Sequence, residues 1–594
     1  MARTVADALV ARLRDWGVAR VFGYAGDGID PLLAALRRAG GDPEFVQPRH
    51  EEMAAFMASG HAKYTGAPGV CLATQGPGAI HLLNGLYDAK LDRRPVVAVV
   101  GQVVSTALGT GYLQEVDLHA LFKDVCGQYL QTVFAPEQLP VLLDNAMRTA
   151  IAERVPTCLI VPHDVQRADA VDELPHSHGV VPSSAVTARP RVVPAQEDLR
   201  RAAEVLGRGR RVALLVGRGA AGAEREIAEV VEKLGAGVTA SLVGKPVLPE
   251  DPPWHTGVMG HLGTTASAEL MAGCDTLLVV GCNDPWTEFY PRPDQARAVQ
   301  IDIEARVVGS KYPVEVPLVG DAGEALRALL PLLPRNEDRS WQEEVFASVA
   351  RWRELSGRRV RDPAEPLNPE LVVHLLSGHI PLDAQVAVDV GSVTYWYARH
   401  LALPVGAPAH TSSYLASMGC ALPYALAAKL HAPDRPALAL AGDGAMQMNG
   451  LLELITVADR WRSWADPRFV VLVLHNRDLN EVTWEQREME GDPRFPASQR
   501  VPEFPYARYA ELLGLRGLRV DSPDEVDRAW HEAFTADRPV VVEAVVDPAV
   551  PLLAPHLPEG KAEMIYRGLD QEPGGERARE QVLRQRAEEG HDDR

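Results

Sequence analysis

The sequence predicts an α/β protein built from three doubly wound parallel-sheet domains. Apolar runs of strand length, such as residues 96–100, alternate with helical patterns, such as residues 51–62, and this alternation is typical of a parallel sheet covered by helices. The alternation recurs in three successive blocks of the chain. Glycine, Asp or Asn follows several of the apolar runs, as expected at the carboxyl edge of such a sheet, where ligands bind.

The three blocks give the expected domain boundaries. We expect domains over residues 1–170, 190–335 and 365–550, followed by a polar tail over residues 551–594. The stretch 173–194 lacks periodicity and is interpreted as a linker, and the charged segment 334–366 as a connection with a helix around residues 341–355. Because the tail is polar and charged, we expect about twenty residues at its end to be poorly ordered.

Composition limits the class of protein. The chain has 594 residues, of which 46% are hydrophobic and 24% charged, the profile of a soluble globular protein. The net charge of −20 argues against nucleic acid as a partner, because such binding depends on basic surface. Six scattered cysteines without a C-x-x-C pair or secretory signal favour a reducing, cytoplasmic location. No apolar run approaches the roughly 20 residues that span a bilayer.

Two strand ends carry the polar groups on which the prediction of function depends. Residues 437–450 and 470–478 each contain an apolar run, and these runs lead to Asp443 and Asn476. Carboxylate and amide oxygens suit Mg²⁺, which is usually shared with phosphates. Gly442 and Gly444 would let the backbone approach a diphosphate, and a helix starting near Ala445 would offer N–H groups. The alternative is an ordinary strand-to-helix turn.

Further segments give the chain a family resemblance. Gly442-Asp443-Gly444 and Asn476, together with Arg49-His50-Glu51 and Gly76-Pro77-Gly78, resemble the thiamine-diphosphate enzymes. Within them the chain is similar to pyruvate oxidases of the bacterial quinone-linked type and to acetolactate synthase. The likeness runs in order through nearly the whole chain. It implies that residues 1–170 bind the pyrimidine, residues 190–335 resemble an FAD-binding domain, and residues 365–550 bind diphosphate and magnesium.

The resemblance assigns the catalytic carboxylate to Glu51. In the family this group hydrogen-bonds the pyrimidine ring of thiamine diphosphate and helps the cofactor lose the proton from its reactive carbon. Glu52 is adjacent but points about 100° away on a helix. The alternative for Glu51 is a solvated residue at a helix start.

Other residues are assigned to thiamine diphosphate and its metal in the same way. Met418 matches the large apolar residue against which the cofactor bends, although a Met there can also be gap-filling core. The implied magnesium ligands are Asp443, Asn476 and the main-chain carbonyl of Asp478. His475 stands where the family has a first Asn. The other expected contacts to the cofactor are Gly76, Gly391, Ser392, Ala416, Gly442, Gly444 and Ala445.

The central block is expected to bind FAD. Nine residues resemble the flavin contacts of the oxidases and of acetolactate synthase, while decarboxylase relatives keep the domain and lack the flavin. Each glycine is also the normal turn of an α/β unit without any ligand. The expected contacts are Gly217, Arg218, Gly219, Gly260, Gly263, Gly281, Asn283, Asp302 and Asp321.

The predicted substrate pocket departs from the nearest relatives. Leu113 and Glu481 stand where pyruvate oxidases typically have Phe, and Glu481 adds a carboxylate that must be solvated, protonated or paired. Gln114, Val482 and Glu485 keep the family pattern. A 2-oxo acid substrate is favoured, whereas pyruvate itself is in doubt. His81, Lys123 and Arg292 are further candidates for this region or for the flavin, or else solvated surface residues.

The resemblance implies a homo-oligomeric enzyme, a dimer or tetramer, that decarboxylates a 2-oxo acid and passes electrons to FAD. In the family, Glu51 faces the cofactor held by a partner subunit. Rival functions are carboligation, simple decarboxylation and cofactor binding without turnover. Quinone-linked oxidases attach to membranes through an amphipathic C-terminal segment, but residues 572–586 are poor in apolar residues, so we expect weak or absent membrane binding.

Overall fold

The computed structural model describes residues 3–171, 182–188 and 190–590. It contains three six-stranded sheets whose paired strands are all parallel, with helices around each sheet. This confirms the predicted class of three doubly wound α/β domains. Of the predicted linker, residues 173–181 and residue 189 lie outside the described residues.

The N-terminal domain forms the first sheet. Its strands are β1 Arg20–Gly23, β2 Glu44–Val46, β3 Gly69–Ala73, β4 Val96–Gln102, β5 Leu130–Thr132 and β6 Pro156–Pro162. Its helices are α1 Val5–Asp15, α2 Asp30–Arg38, α3 Glu51–Thr65, α4 Pro77–His81, α5 Leu83–Leu91, α6 Leu118–Phe122, α7 Leu139–Glu153 and α8 His163–Arg167. The strand order is β2-β1-β3-β4-β6-β5. Every residue of β3, β4 and β6 is buried, as expected for strands covered on both faces.

The central domain forms the second sheet. Its strands are β7 Val212–Val216, β8 Gly237–Ala240, β9 His255–Val258, β10 Thr276–Val280, β11 Arg297–Asp302 and β12 Val316–Val319. Its helices are α9 Gln196–Arg208, α10 Glu224–Leu234, α11 Thr265–Gly273 and α12 Ala322–Leu329. The strand order is β12-β11-β10-β7-β8-β9, so the direction of winding reverses between β7 and β10. This is the order of dinucleotide-binding domains, in which ligands bind at the reversal point.

The C-terminal domain forms the third sheet. Its strands are β13 Gln385–Val388, β14 Ala409–His410, β15 Ala437–Gly442, β16 Phe469–His475, β17 Arg516–Val520 and β18 Val540–Val545. The helix α13 Ser340–Arg359 precedes it, and its own helices are α14 Pro369–Leu376, α15 Ser392–His400, α16 Ala421–His431, α17 Asp443–Ala445, α18 Leu451–Arg460, α19 Asn480–Glu490, α20 Pro496–Gln499, α21 Tyr506–Leu512 and α22 Pro523–Thr535. A π-helical turn, Met446–Gly450, joins α17 to α18. The strand order is β14-β13-β15-β16-β18-β17.

Short 3-10 turns complete the connections. They are Asp27–Ile29, Ser105–Ala107, Pro136–Gln138, Arg218–Ala220, Leu242–Val247, Thr287–Phe289, Leu330–Leu332 and Trp461–Ser463. Helix α13 agrees with the helix predicted around residues 341–355.

The expectation of a poorly ordered C-terminus is wrong for most of the tail. Two helices occupy it, α23 Glu559–Leu569 and α24 Gly575–Glu588. Val582 is fully buried and Arg586 is 1% exposed, while Arg359 of α13 forms an ion pair with Glu589 at 2.7 Å. Charged composition predicted disorder because it cannot reveal that these charges have partners on α13.

A buried lysine joins the three domains. Lys63 of α3 forms ion pairs with Asp88 at 3.1 Å and Asp92 at 2.7 Å, and the three side chains are at most 1% exposed. Its ammonium also donates to the Tyr424 hydroxyl of α16 at 2.5 Å. The main-chain carbonyl of Asp92 accepts from Arg218 of the central domain at 2.6 Å. Burial opposes ionisation of Asp92, but Lys63 and Arg218 hold the pKa of that carboxyl well below its ordinary value.

Two further properties concern the chain as a whole. None of the helices in the described ranges combines the length and apolar character that crossing a membrane requires. The six cysteines are buried thiols, and none of them forms a disulfide.

We predict that Lys63→Ala destabilises the protein by about 3–5 kcal/mol, because it leaves two buried carboxylates without their cation. Denaturant unfolding followed by circular dichroism measures this loss. The matched control is Lys90→Ala, which removes a lysine paired with the exposed Asp124, and it should shift the midpoint much less. Equal shifts for the two variants would contradict the role given to Lys63.

Candidate active site

Asp443 and Asn476 lie at the ends of neighbouring strands. Strands β15 and β16 pair along their whole length, with Gly442 opposite Leu474, so their carboxyl ends are adjacent. Asp443 is 2% exposed, and its carboxylate accepts from the main-chain N–H of Arg477 at 2.6 Å and of Gly444 at 2.8 Å. Burial raises the pKa of Asp443 to about 6, as expected for a buried acid without a cation beside it.

The donors at this edge fit a magnesium ion. The Asn476 amide oxygen accepts from the N–H of Asp478 at 2.9 Å, which fixes the loop that follows β16. The Asp478 carboxylate is turned to Arg494 at 2.7 Å, so its main-chain carbonyl is the oxygen that a metal would use. The set offered to a cation is therefore one carboxylate, one amide oxygen and one carbonyl, all of them hard oxygen ligands.

Gly391 and Gly442 leave space for a diphosphate beside these donors. A Cβ atom built on either glycine would meet no atom within 4 Å. Gly391 has φ of 126° and precedes the first residue of α15, Ser392, so the N–H groups of that helix start face this space. Gly444 differs, since its Cβ would lie 2.7 Å from Leu479, and Ala445 is buried. The first two glycines thus fit a ligand, whereas packing explains Gly444.

The turn that carries Met418 is held by Asp389. Ala416 has φ of 54°, a strained value for a residue with a side chain, and Met418 packs half-buried against the core. The buried carboxylate of Asp389 accepts from the N–H of Gly419 at 2.8 Å and of Ala421 at 3.0 Å. Burial raises the pKa of Asp389 to about 6. The turn is therefore fixed in place from the end of β13.

Glu51 is the first residue of α3 and is hydrogen-bonded to His81. Its Oε2 lies 3.0 Å from His81 Nδ1, and a Cβ atom on Gly78 would lie 3.3 Å from its Oε1. The preceding residue, His50, caps the helix by accepting from the N–H of Glu52. One more contact positions this corner, because Glu453 of α18 accepts from the main-chain N–H of Arg49 at 2.9 Å.

Glu51 and the magnesium donors form two separate groups within one chain. The neighbouring Glu52 faces the C-terminal domain of its own chain, through Asn84 at 2.6 Å and Asn449 at 3.5 Å, and Asn84 continues to Ser417 at 2.9 Å. In the described part of the chain, no hydrogen bond or ion pair joins Glu51 to the residues predicted to bind diphosphate and magnesium. The Glu51 side chain points away from the contact that Glu52 makes, because successive residues on a helix are rotated by about 100°.

Gly76 and Gln114 lie together in the N-terminal domain. Gly76 has φ of 59°, and a Cβ atom on it would lie 2.9 Å from that of Gln114. Gln114 also has positive φ, 61°, and its side-chain oxygen accepts from Gln75 at 3.0 Å. The adjacent Leu113 is 78% exposed. Two other candidates, Lys123 and Arg292, are exposed surface residues.

Helix α19 carries the remaining residues that were predicted to line the substrate pocket. Glu481 and Glu485 are one turn apart, and Val482 between them is 49% exposed. Burial raises the pKa of Glu481 to about 7 and also raises that of Glu485, which His261 of the central domain opposes. The charge of Glu481 adds to the effect of burial in raising the pKa of Tyr395 on α15. Glu481 thus lies near the helix that begins at Ser392.

The central-domain glycines pack closely against one another. Gly217 and Gly219 follow β7, and Gly281 follows β10, at the point where the strand order reverses. A Cβ atom on Gly217 would lie 2.3 Å from the carbonyl oxygen of Gly281, and one on Gly219 would lie 2.8 Å from its Cα. Backbone contact alone therefore accounts for these glycines, and the expectation of FAD depends on the strand order and the resemblance.

Other residues predicted to bind the flavin form hydrogen bonds within the protein. The Asn283 side-chain oxygen accepts from Ser310 at 3.0 Å, and Asp302 accepts from the N–H of Glu304 at 2.9 Å. Asp321 accepts from the N–H of Val192 at 2.7 Å. Arg399 of α15 donates to the carbonyls of Gly263 at 3.0 Å and His261 at 2.7 Å. The Gly260–Gly263 loop is thereby tied to the C-terminal domain.

Three domain families match the chain, one for each of its three domains. Residues 3–121 match "Thiamine pyrophosphate enzyme, N-terminal TPP binding domain", residues 199–329 match the central domain of that enzyme family, and residues 389–544 match its C-terminal TPP binding domain. The chain belongs to the thiamine pyrophosphate enzyme family. The resemblance stated from the motifs is confirmed, and so is the three-domain fold.

Several characterised or named members of the thiamine pyrophosphate enzyme family are similar along most of their length. The thiamine pyrophosphate-containing protein YdaP of Bacillus subtilis is 35% identical over 93% of this chain and 93% of its own. Acetolactate synthase isozyme 2 large subunit of Escherichia coli is 32% identical over 91% of this chain and 95% of its own. Pyruvate oxidase of Lactiplantibacillus plantarum is 27% identical over 93% of this chain and 90% of its own.

For this member of the thiamine pyrophosphate enzyme family, sequence reasoning missed three positioning residues. Asp389 holds the Met418 turn, Glu453 holds Arg49, and Arg399 holds the Gly260–Gly263 loop. Asp389 had a signal, since it directly follows the apolar end of β13. Glu453 and Arg399 had none, because each acts on a segment more than a hundred residues away.

We predict that Glu453→Gln makes the protein more stable relative to wild type as the pH rises. Burial raises the folded-state pKa of Glu453 from 4.5 to about 7. The contribution of Glu453 to wild-type stability is therefore fully present below the lower value and is lost as the pH rises through the upper one. The amide still accepts from Arg49 and never ionises. The gain between pH 5 and pH 8 should approach about 3 kcal/mol.

Urea unfolding of both proteins at the two pH values measures this difference. The control is Glu511→Gln, which changes an exposed glutamate of α21 and should leave the pH dependence as in wild type. A constant difference between Glu453→Gln and wild type across this range would contradict the prediction.

Proposed function

We propose that the chain is a thiamine-diphosphate- and Mg²⁺-dependent enzyme that decarboxylates a 2-oxo acid and transfers the electrons to FAD. The observation that carries the proposal is the buried Asp443, bound by the loop that contains Asn476 and lying beside the open glycines Gly391 and Gly442. When bound, thiamine diphosphate would supply the nucleophilic carbon and the electron sink for loss of carbon dioxide. The residues of the chain have to hold it, move one proton and exclude water.

Each part of the cofactor has residues suited to it. Asp443, Asn476 and the carbonyl of Asp478 would hold the Mg²⁺, and the start of α15 would bind the diphosphate. The turn containing Ala416 and Met418 would support the ring system. Glu51 Oε2 would exchange a proton with the pyrimidine ring nitrogen, and His81 at 3.0 Å orients that carboxylate.

The central domain supports FAD as the second cofactor of the proposal. The reversal point between β7 and β10 suits a dinucleotide. Arg399 ties the Gly260–Gly263 loop to α15, whose first residue, Ser392, belongs to the diphosphate site. A flavin held by that loop would therefore lie near thiamine diphosphate, and electron transfer between two cofactors requires such proximity.

The substrate end of the pocket is compatible with an acid. Burial raises the pKa of Glu481 to about 7, so below that pH its carboxyl group is neutral and can donate a hydrogen bond to a 2-oxo acid carboxylate. Leu113 and Glu481 replace aromatic residues expected for pyruvate. We therefore propose a 2-oxo acid without naming it.

Carboligation is the second candidate. The relative from Escherichia coli named acetolactate synthase isozyme 2 large subunit, 32% identical to the chain, favours it. This function would use the same Glu51 and Asp443 but would add the decarboxylated fragment to a second carbonyl compound. The buried free thiols suit a reducing compartment, so we also propose a cytoplasmic location.

We further propose that each active site is shared between two copies of the chain. Within one chain Glu52 faces the C-terminal domain and Glu51 does not, so Glu51 would serve the cofactor of a partner in at least a homodimer.

The first test of the proposed reaction is an absorbance spectrum. The purified protein should carry the yellow flavin bands, and anaerobic addition of its 2-oxo acid should bleach them. A set of linear and branched 2-oxo acids is screened, with the matching 2-hydroxy acids as controls that cannot be decarboxylated in this way. A colourless protein that still consumes 2-oxo acids would exclude the oxidase in favour of the carboligase or decarboxylase.

The shared site makes a separate prediction for mixed oligomers. Glu51→Gln should lose roughly 100-fold or more in turnover, because proton transfer is lost, and Asn476→Ala should be inactive because the metal is lost. If subunits are unfolded and refolded as an equal mixture, about one quarter of the wild-type activity should return, since half of the dimers then carry one intact site. No recovery, with mixed dimers verified by two different affinity tags, would show that each site lies within one chain.

A further inference from the structure

A cavity lies beside the loop that carries Asn476 and Asp478. It has a volume of about 730 Å³, which is within the range of small-molecule sites. Its walls are the loop after β16, the ends of β18 and α19, and the tail around residues 572–578. The diphosphate residues 391–392 and 442–445 are not among its lining residues. Asn476 and Asp478 do line it, so the cavity adjoins the site proposed for magnesium, and β16 lies between β15 and β18 in the sheet.

The lining of the cavity is rich in arginine. Three of its guanidinium groups have carboxylate partners that also line it, namely Arg477 with Glu503 at 2.6 Å, Arg487 with Glu572 at 2.7 Å and Arg494 with Asp478 at 2.7 Å. Two more arginines complete the set, Arg500 and Arg577.

These two arginines differ in their partners. Arg577 pairs with Asp547, which is not a lining residue, and with Glu365. The side chain of Arg500 has no hydrogen bond or ion pair with any residue in the described ranges of the chain. Four of the five lining arginines are therefore paired with carboxylates, and Arg500 is the cation that remains available to an anion.

Two buried polar atoms of the lining also lack partners. Arg487 is 5% exposed, and its Nη1 makes no hydrogen bond among the described residues. His475 is fully buried; its Nδ1 pairs with Glu543 at 3.0 Å, while its Nε2 has no hydrogen-bond partner there. Leaving such groups unpaired costs roughly 1–3 kcal/mol each, and buried polar atoms in proteins are nearly always satisfied. Both residues line the cavity. An acceptor oxygen of a ligand would satisfy the Arg487 Nη1 donor, whereas His475 Nε2 is itself an acceptor when Nδ1 donates to Glu543.

We propose that this cavity binds a small organic phosphate at a site separate from the thiamine diphosphate. A phosphate presents oxygens in the geometry that guanidinium forks bind in pairs, and Arg500 is the cation best able to approach it. The Nη1 of Arg487 would donate to a further oxygen. Because the walls include both the loop carrying Asn476 and the tail residues Glu572 and Arg577, the ligand would connect the tail to that loop.

The test measures phosphate binding to the protein saturated with thiamine diphosphate and Mg²⁺, so that the cofactor site is filled. Equilibrium dialysis with radiolabelled inorganic phosphate should detect one saturable site per chain. Arg500→Gln should weaken this binding by about tenfold or more. The variant should fold normally, since Arg500 is exposed and its side chain holds no other residue. Arg508→Gln is the matched control, because Arg508 is an exposed arginine of the same domain outside the cavity, and it should bind as wild type does.

Acetate at the same ionic strength should not compete, whereas glycerol 3-phosphate should, which separates an organic phosphate from a simple carboxylate. Saturable binding that Arg500→Gln leaves unchanged would overturn the proposal, and so would the absence of binding up to about 10 mM phosphate. Binding is measured without turnover, so the result does not depend on which reaction the enzyme catalyses.

Discussion

The position of Lys63 is the constraint on which the arrangement of the three domains depends. Its ammonium has no access to water, and it is balanced by Asp88 and Asp92 of its own domain and by polar groups of the C-terminal domain. A charge buried in this way is tolerated only when its partners keep their geometry. Helices α3 and α16 are therefore fixed against each other, and the start of α3, where Glu51 lies, is fixed with them.

The proposed chemistry follows from what this fixed contact leaves exposed. Glu52 is used inside the chain, through Asn84 and Asn449, so Glu51 remains available for a cofactor outside that contact. At the other half of the site, Asp389 and Asp443 each accept main-chain hydrogen bonds that hold a turn. Both halves are thus organised by hydrogen-bonded carboxylates before any ligand arrives, which is how binding sites avoid reorganisation when the ligand binds.

The sequence predicted the sheets well, and it predicted that Asp443 and Asn476 lie at the ends of neighbouring strands, because both depend on local signals. A buried parallel strand is a continuous apolar run, and the polar residue that ends it is the next letter of the sequence; Asp443 and Asn476 are both of this kind. The contacts of Glu453 with Arg49 and of Arg399 with Gly263 join segments distant in sequence, and no periodicity records such pairs. The prediction of a poorly ordered tail failed for the same reason. Its charges predict disorder when counted alone, and Arg359, which orders them, lies more than two hundred residues earlier.

The pairing of Arg359 with the tail also has a consequence for how the chain is made. The guanidinium of Arg359 is buried between α13 and α24, and its partners are Glu588 and Glu589. During synthesis, domains generally fold from the N-terminus as they leave the ribosome. Arg359 emerges long before its partners do and must stay hydrated until they arrive. The two earlier domains can therefore fold while the C-terminal domain still waits for Glu588 and Glu589.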